Sequence, residues 1–262
     1  MINPPRRPSP KLWDERLRRA EALEALRPES AEILRFFRRL TESQRYMARQ
    51  IADRPTRNLH KLDYLPLLFR VENEGPKALS VLAAAMRQLS TADREALLEK
   101  AWAGAAGKDA DPGRAFLVRT MVAPLAVHWA TNDPAPRKRG EPGRCPYCGD
   151  QPAAALLRED KEAEALRRSL VCALCATEWD FVRVGCPGCG ETEPSKLPRF
   201  AAMQLPGMRI EGCESCKRYV KAADLSKEPA AEPIADDLAS PALDLVARDR
   251  GYAKLVPNAA GL

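Results

Sequence analysis

No run of 18 apolar residues occurs in this sequence, so it contains no membrane-spanning helix of the ordinary kind. Histidine is nearly absent. His60 and His128 are the only two, and neither stands at a metal-ligand spacing. A glycine-rich phosphate loop, an HExxH helix and a Ser-His-Asp set are all missing, so the usual signs of nucleotide, zinc-hydrolase and serine-hydrolase chemistry are absent. Aromatic residues make up only 6%, and Ala and Leu dominate the apolar set, a balance that leans toward helix. The net charge of +6 is mild; it permits an anionic partner without demanding one. Arg6 and Arg7 stand side by side near the N-terminus, but "KLWDERLRR" follows where a secretory signal needs an apolar core. The expectation is an uncleaved, cytoplasmic N-terminus with a disordered first stretch.

What is present falls into two halves. The chain of 262 residues, 45% apolar and 30% charged, is long enough for one large domain or two modest ones. Residues 1–130 read as a helical domain. "KLWDERLRRAEALEAL" is amphipathic and stops at Pro28. Ser30 is a candidate N-cap for residues 31–54, where Ile33, Phe37, Leu40, Met47 and Ile51 recur at helical steps before Pro55. After a short apolar piece, "LDYLPLLFRV", helices are expected over 76–89, from 91 or 93 to about 106, and over 113–130, with a kink at Pro124. Residues 131–144 form a linker rich in Pro and Gly. Its Arg137-Lys138-Arg139 run suits a solvated hinge, with anion steering as the alternative. Beyond Cys216 the chain turns acidic and Pro-broken. Asp236 and Asp237 are then candidate caps, or docking residues, for a helix "LASPALDLVARDR" that ends near Gly251 with Pro241 in its first turn.

All eight cysteines lie between 145 and 216, in four Cys-x-x-Cys pairs. A single offset of 41 residues carries Cys145, Cys148, Cys172 and Cys175 onto Cys186, Cys189, Cys213 and Cys216. The same offset carries Gly149 onto Gly190, Leu156 onto Leu197, Arg158 onto Arg199 and Arg168 onto Arg209. Such self-similarity marks a tandem duplication of one small unit. Cys-x-x-Cys suits a metal knuckle, because a tight turn aims two thiolates at one point. A glycine just after the second cysteine permits the positive φ such turns favour. Gly149 and Gly190 serve the first knuckle of each copy, while Ala176 and Lys217 occupy that place in the second knuckles. "SLVC", "EWDFVRV", "MRIEGC" and "RYVKA" read as short strands, and the 23 residues between knuckles leave room for a hairpin or a further strand.

Two knuckles per copy make a four-thiolate site of the zinc-ribbon or rubredoxin kind. One ion is expected at Cys145, Cys148, Cys172 and Cys175, and a second at Cys186, Cys189, Cys213 and Cys216. Thiolate softness admits zinc and iron alike. Thiol–disulfide exchange and inert burial are the competing readings; four pairs in register fit a metal better than an exchange couple, which needs one exposed, acidic thiol. Each closed site carries a formal charge of −2, which Arg144, Arg183, Lys217 and Arg218 beside the knuckles can offset. A closed site leaves no open position for Lewis-acid hydrolysis, so its role is structural, or one-electron transfer if iron is bound. His60 and His128 read as core or surface residues. Trp179 and Phe181 read as cover for the metal-bearing sheet. The fold class is α+β: an all-helical domain (1–130), a linker (131–144), two tandem four-cysteine modules (145–185 and 186–225), and a C-terminal acidic segment with a helix (226–262).

The segments "CPYCGDQPAAALLRE", "LVCALCATEWDFVRVGCPGCGET", "EGCESCKRYVKAADL" and "EPIADDLASPALDLVARDRGY" together resemble the formate dehydrogenase accessory protein FdhE family. The resemblance covers 145–252 by motif and the helical half by length and texture. It implies a non-enzymatic maturation factor, required for active respiratory formate dehydrogenase. Such a factor contacts the catalytic subunit in the cytoplasm before that subunit's twin-arginine-dependent export. It also implies rubredoxin-like sites holding iron or zinc. Two other readings remain open on the residues alone. A one-electron iron protein acting on the client is compatible with an accessory role. A nucleic-acid-binding ribbon protein would need a dense basic stripe interleaved with aromatics, which the ribbons lack, so no nucleic-acid partner is expected.

Overall fold

The computed structural model describes residues 4–56, 58–102, 111–133, 143–160 and 165–261. Among the described residues the first half holds six α-helices: α1 (Leu12–Leu26), α2 (Ala31–Asp53), α3 (Leu65–Glu74), α4 (Lys77–Gln88), α5 (Thr91–Trp102) and α6 (Pro112–Asn132). In α2 the buried residues Leu34, Phe37, Leu40, Gln44, Met47 and Ile51 recur every three or four positions, the stripe of a helix with one face in the core. The segment "LDYLPLLFRV" contributes α3, with Pro66 in the first turn, where its missing N–H leaves no helical bond unmade. The reading of Ser30 needs correction. A short 3-10 turn, Pro28–Ser30, leads into α2, and Ser30 has φ −111° and ψ 2° rather than the extended backbone of a capping residue. Its hydroxyl makes no capping bond and is buried without a partner. Arg137, Lys138 and Arg139, and the expected end of α5 near 106, lie outside the described residues.

Helix α6 is the central post of the helical half. Leu117 through Val127 are buried without a break, as expected of a helix with neighbours on every side. Pro124 has no N–H to offer the Thr120 carbonyl one turn earlier. Gln44 of α2 fills that role, its Nε2 donating to the Thr120 carbonyl at 2.9 Å inside the core. No helix of the described residues is long and apolar enough to cross a membrane.

The second half is a single seven-stranded sheet: β1 (Pro152–Asp160), β2 (Ala165–Cys172), β3 (Glu178–Asp180), β4 (Arg199–Ala201), β5 (Met208–Cys213), β6 (Arg218–Asp224) and β7 (Ala253–Lys254). The order is β3-β2-β1-β6-β5-β4, with β7 beside the start of β6. Pairing is antiparallel within each copy, β1–β2–β3 and β4–β5–β6. The copies join head to tail through a parallel seam, with Ala154 opposite Lys221 and Leu157 opposite Asp224. This leaves β3 as one edge. Residue 6 partly closes it, because the Arg6 N–H donates to the Glu178 carbonyl at 2.7 Å and the Glu178 N–H donates back at 3.0 Å.

Strand parity divides the core. Ala155, Leu157, Leu170 and Ala222 join a cluster continuous with α2, α3, α4 and α6. Their strand neighbours Leu156, Val171 and Ala223 face the other way, toward Leu243, Ala247 and Tyr252. The protein is therefore α+β, with helices packed on the sheet rather than strung beside it.

Two short helices complete the chain, α7 (Pro233–Leu238) and α8 (Pro241–Asp249), where the sequence suggested one. Pro241 opens α8, and Gly251, at φ +79°, follows it. The capping role expected of Asp236 and Asp237 is also corrected. Glu232 is the cap of α7, accepting from the Ile234 and Ala235 N–H groups, and both aspartates lie inside that helix. Asp236 faces α1, where Arg19 holds it through two bonds of 2.6 and 2.9 Å. Asp237 enters a buried cluster. There Lys221, fully buried in β6, donates to the Asp237 and Ser240 carbonyls and to Asp244 Oδ2 at 2.6 Å. Lys254 of β7 donates to Asp237 and to Asp244 Oδ1, Tyr219 to Asp244 Oδ1, and Asn258 to Asp237 Oδ2. Two lysines thus face two aspartates, and the charges cancel across five segments of the chain.

Lys221→Met leaves two buried carboxylates facing one cation and is expected to destabilise the fold by about 3–5 kcal/mol, read as a lowered urea midpoint. Burial works to raise the Asp237 carboxyl, but Lys221, Lys254 and Asn258 overcome it and hold the group below its ordinary value. A carboxyl depressed on folding stabilises above the unfolded carboxylate pKa of about 4, and that contribution fades as pH falls through the folded value. Acid-induced unfolding of the wild type is therefore expected to be steeper below about pH 4 than that of Asp237→Asn.

Candidate metal centres

The eight cysteines are free thiols gathered into two tetrads. In each, one sulfur per residue lies within 4.8 Å of the other three. The sets are those the spacing suggested: Cys145, Cys148, Cys172 and Cys175 in one, Cys186, Cys189, Cys213 and Cys216 in the other. Every set stays within its own copy. Sulfur–sulfur distances are 3.6 Å for Cys145–Cys175, 3.3 Å for Cys148–Cys172, and 3.7 Å for both Cys186–Cys216 and Cys189–Cys213.

Local backbone makes these sets. The Gly149 N–H closes on the Cys145 carbonyl and the Gly190 N–H on the Cys186 carbonyl, each at 2.9 Å, which turns each pair of sulfurs to one side. The residue after the second cysteine takes a positive φ in all four knuckles: 82° at Gly149, 80° at Gly190, 55° at Ala176 and 53° at Lys217. The last two show that the turn imposes the left-handed backbone even where a side chain makes it costly. Backbone N–H groups face the sulfurs, with Leu174 and Cys175 donating to Cys172 Sγ and Gly188 to Cys186 Sγ.

The donor set fits a tetrahedral soft cation. Metal–sulfur bonds of about 2.3 Å require sulfur edges of roughly 3.8 Å, close to the observed separations. Four thiolates at this range repel one another and require an opposing charge. Burial, followed by its three sulfur neighbours, pushes the Cys172 thiol well up, and burial pushes the Cys186 thiol up. Cys216 is pushed up to about 11, mainly by burial. One thiol of each set goes the other way: although burial opposes it, neighbouring hydrogen bonds lower Cys145 and Cys213.

The residues behind the first tetrad escaped the sequence reading. Asp150, fully buried, accepts two bonds from Arg119 of α6, at 2.8 and 3.2 Å, and its own backbone carbonyl accepts from the Cys145 N–H. An ion pair thus fixes the first knuckle to the central helix. The available signal was the acidic residue after each Cys-x-x-Cys-Gly, Asp150 and Glu191 at the same offset. His60 and His128 stand apart from both tetrads: His60 pairs with Glu95 at 2.9 Å, and burial lowers the pKa of half-buried His128. Trp179 is buried in the core and Phe181 lies against the Arg168 guanidinium, as cover residues do. Of the four flanking cations, Lys217 pairs with Glu214, and Arg218 donates to the Leu255 carbonyl.

Fold and site together define an α+β protein carrying two four-cysteine clusters able to hold two metal ions. The family described as FdhE, central domain, matches residues 144–183, and FdhE, C-terminal domain, matches 184–260. A protein FdhE homolog of Aquifex aeolicus is 27% identical over 94% of this chain and 94% of its own. Another, of Stutzerimonas stutzeri, is 35% identical over 70% of this chain and 60% of its own length. The crystal structure of the FdhE protein from Pseudomonas aeruginosa shares the fold, with a TM-score of 0.69 over 98% of both chains at 23% identity. Residues 144–260 thus match the FdhE central and C-terminal domains, and the chain is similar to FdhE proteins over nearly its whole length.

Native mass spectrometry of the protein, purified without oxygen, is expected to show two metal ions per chain, and one in Cys172→Ser. Arg119→Met leaves Asp150 charged and buried without its partner, at an expected cost of about 3–5 kcal/mol in urea unfolding.

Proposed function

We propose that this chain is an accessory factor needed to form active formate dehydrogenase, working in the cytoplasm as a binding scaffold for the immature catalytic subunit rather than as a catalyst. The likeness to FdhE proteins, by domain match over residues 144–260 and by sequence over nearly the whole chain, carries the reading, and the chemistry of the site supports the non-enzymatic part of it. In this proposal Cys145, Cys148, Cys172 and Cys175 hold one ion and Cys186, Cys189, Cys213 and Cys216 a second, iron or zinc. Each cation, when bound, supplies the positive charge that lets four thiolates coexist. The chain's own residues do the rest. The knuckle turns aim the sulfurs, Arg119 and Asp150 lock the first site to α6, and the parallel seam holds both copies in one sheet. Four protein ligands around each ion leave no position for a substrate, so the centres shape a surface rather than turn over a reagent.

One observation favours a second reading beside the first. Cys189 is exposed, which places one ligand of the second tetrad at the protein surface. If that tetrad holds iron, it is a candidate one-electron centre facing the client. Reversible bleaching of visible thiolate-to-iron bands would support it, and a colourless zinc protein with full accessory activity would remove it.

Deleting the gene is expected to abolish formate oxidation while leaving the transcript of the catalytic subunit unchanged, and the tagged protein is expected to co-purify with that subunit. Unchanged formate oxidation in the deletion strain would contradict the assignment.

A further inference from the structure

The two tetrads come from one duplicated unit, yet their surroundings differ. In the first, Cys145, Cys172 and Cys175 are buried within the main core, and Cys148 is half-buried. In the second, Cys189 is exposed, Cys216 half-buried, and no sulfur of the set belongs to a described core cluster.

The offset of 41 identifies the cause residue by residue. Between the cysteines of the first knuckle, Tyr147 of copy one corresponds to Gly188 of copy two. In the second knuckle, Leu174 corresponds to Ser215. Tyr147 and Leu174 are buried in the core around the first sulfurs, whereas Gly188 has no side chain and Ser215 is exposed. The acidic position changes likewise. Asp150 is held by Arg119 from α6, while Glu191 turns outward to Ser215 and Lys196. Ala176 packs against Leu12, Trp13, Ala123 and Val127 of the helical half, and its counterpart Lys217 is exposed. At these four matched positions copy two lacks the buried side chains of copy one; Leu255 lies beside Gly188, and Cys186 and Cys213 are buried, while Cys189 stays open.

We propose that the second tetrad is an exchangeable metal site, open to solvent and to competing thiol or amine ligands through Cys189, while the first is a locked structural site. The difference is set by Tyr147 and Leu174 on one side and Gly188 and Ser215 on the other. This rests on the assignment of the tetrads as metal sites. Ligand exchange at a closed four-thiolate centre needs an incoming donor to reach the metal or a departing sulfur to reach water. The apolar shell around a site governs both routes. At the second tetrad a chelator can take the cation as solvent protons neutralise the released thiolates. At the first, the same step requires opening the shared core, whose exchange is limited by local unfolding.

The test uses the full chain loaded with two zinc ions and a chromophoric chelator in excess, with zinc release followed in time. Release is expected in two phases of one equivalent each, the fast phase quicker by at least about tenfold, the scale on which outer-shell residues act on metal sites. Cys189→Ser is expected to remove the fast phase and keep the slow one. Ser215→Leu, which restores an apolar cover at an exposed position, is expected to slow the fast phase. Leu174→Ser is expected to speed the slow one; should it fail to fold, Ser215→Leu decides alone. Two equivalents leaving at a single rate, a fast phase that survives Cys189→Ser, or a fast phase unmoved by Ser215→Leu would overturn the proposal. A protein that takes up no zinc would instead refute the metal assignment beneath it.

Discussion

Mutual repulsion of thiolates is the constraint on which this structure rests. Four sulfurs within 4.8 Å of one another, twice over, form an arrangement that burial and charge both oppose unless a cation lies among them. The backbone spends several unfavourable choices on it, including a left-handed Ala176 and a left-handed Lys217. A soft cation held there would resolve the conflict and tie together knuckles with 23 residues between them in sequence. Small β units with little core of their own gain their order in this way.

A second balanced charge set performs the same office for the C-terminus. Lys221 and Lys254 against Asp237 and Asp244 draw β6, β7, α7 and α8 together, and Asn258 adds the final loop. Arg19 reaches from α1 to Asp236, and Arg16 to Glu232, so the tail is fastened to the helical half as well as to the sheet. Arg119 and Asp150 complete the set at the first knuckle. Ion pairs thus join the helical half to the cysteine-bearing half at Arg16, Arg19 and Arg119, and apolar contacts fill the space between.

Much of the site was legible because ligand chemistry requires fixed spacing. Four Cys-x-x-Cys pairs at one offset announce two closed tetrads, and Gly149 and Gly190 announce their turns. The helical half was legible in α2 through Phe37, Leu40, Met47 and Ile51, all buried, whereas Ile33 is half-buried and its neighbour Leu34 takes the core position. The seam was not. Parallel pairing of β1 with β6 joins strands some sixty residues apart, and no local pattern encodes which strand of one copy meets which of the next. Asp236 and Asp237 were misread for a related reason. A local rule makes Asp a cap, while distant partners, Arg19 for one and Lys221 with Lys254 for the other, decided otherwise. Lys221 carried a usable signal: a lysine inside the otherwise apolar strand "YVKAA" has to find buried partners.

The claim that each tetrad grips its own cation within its own copy is tested most directly by anomalous diffraction from crystals grown without oxygen. The account predicts two peaks per chain, each about 2.3 Å from four sulfurs of one tetrad. Disulfides in place of either peak, or a peak bridging cysteines of different copies, would contradict it.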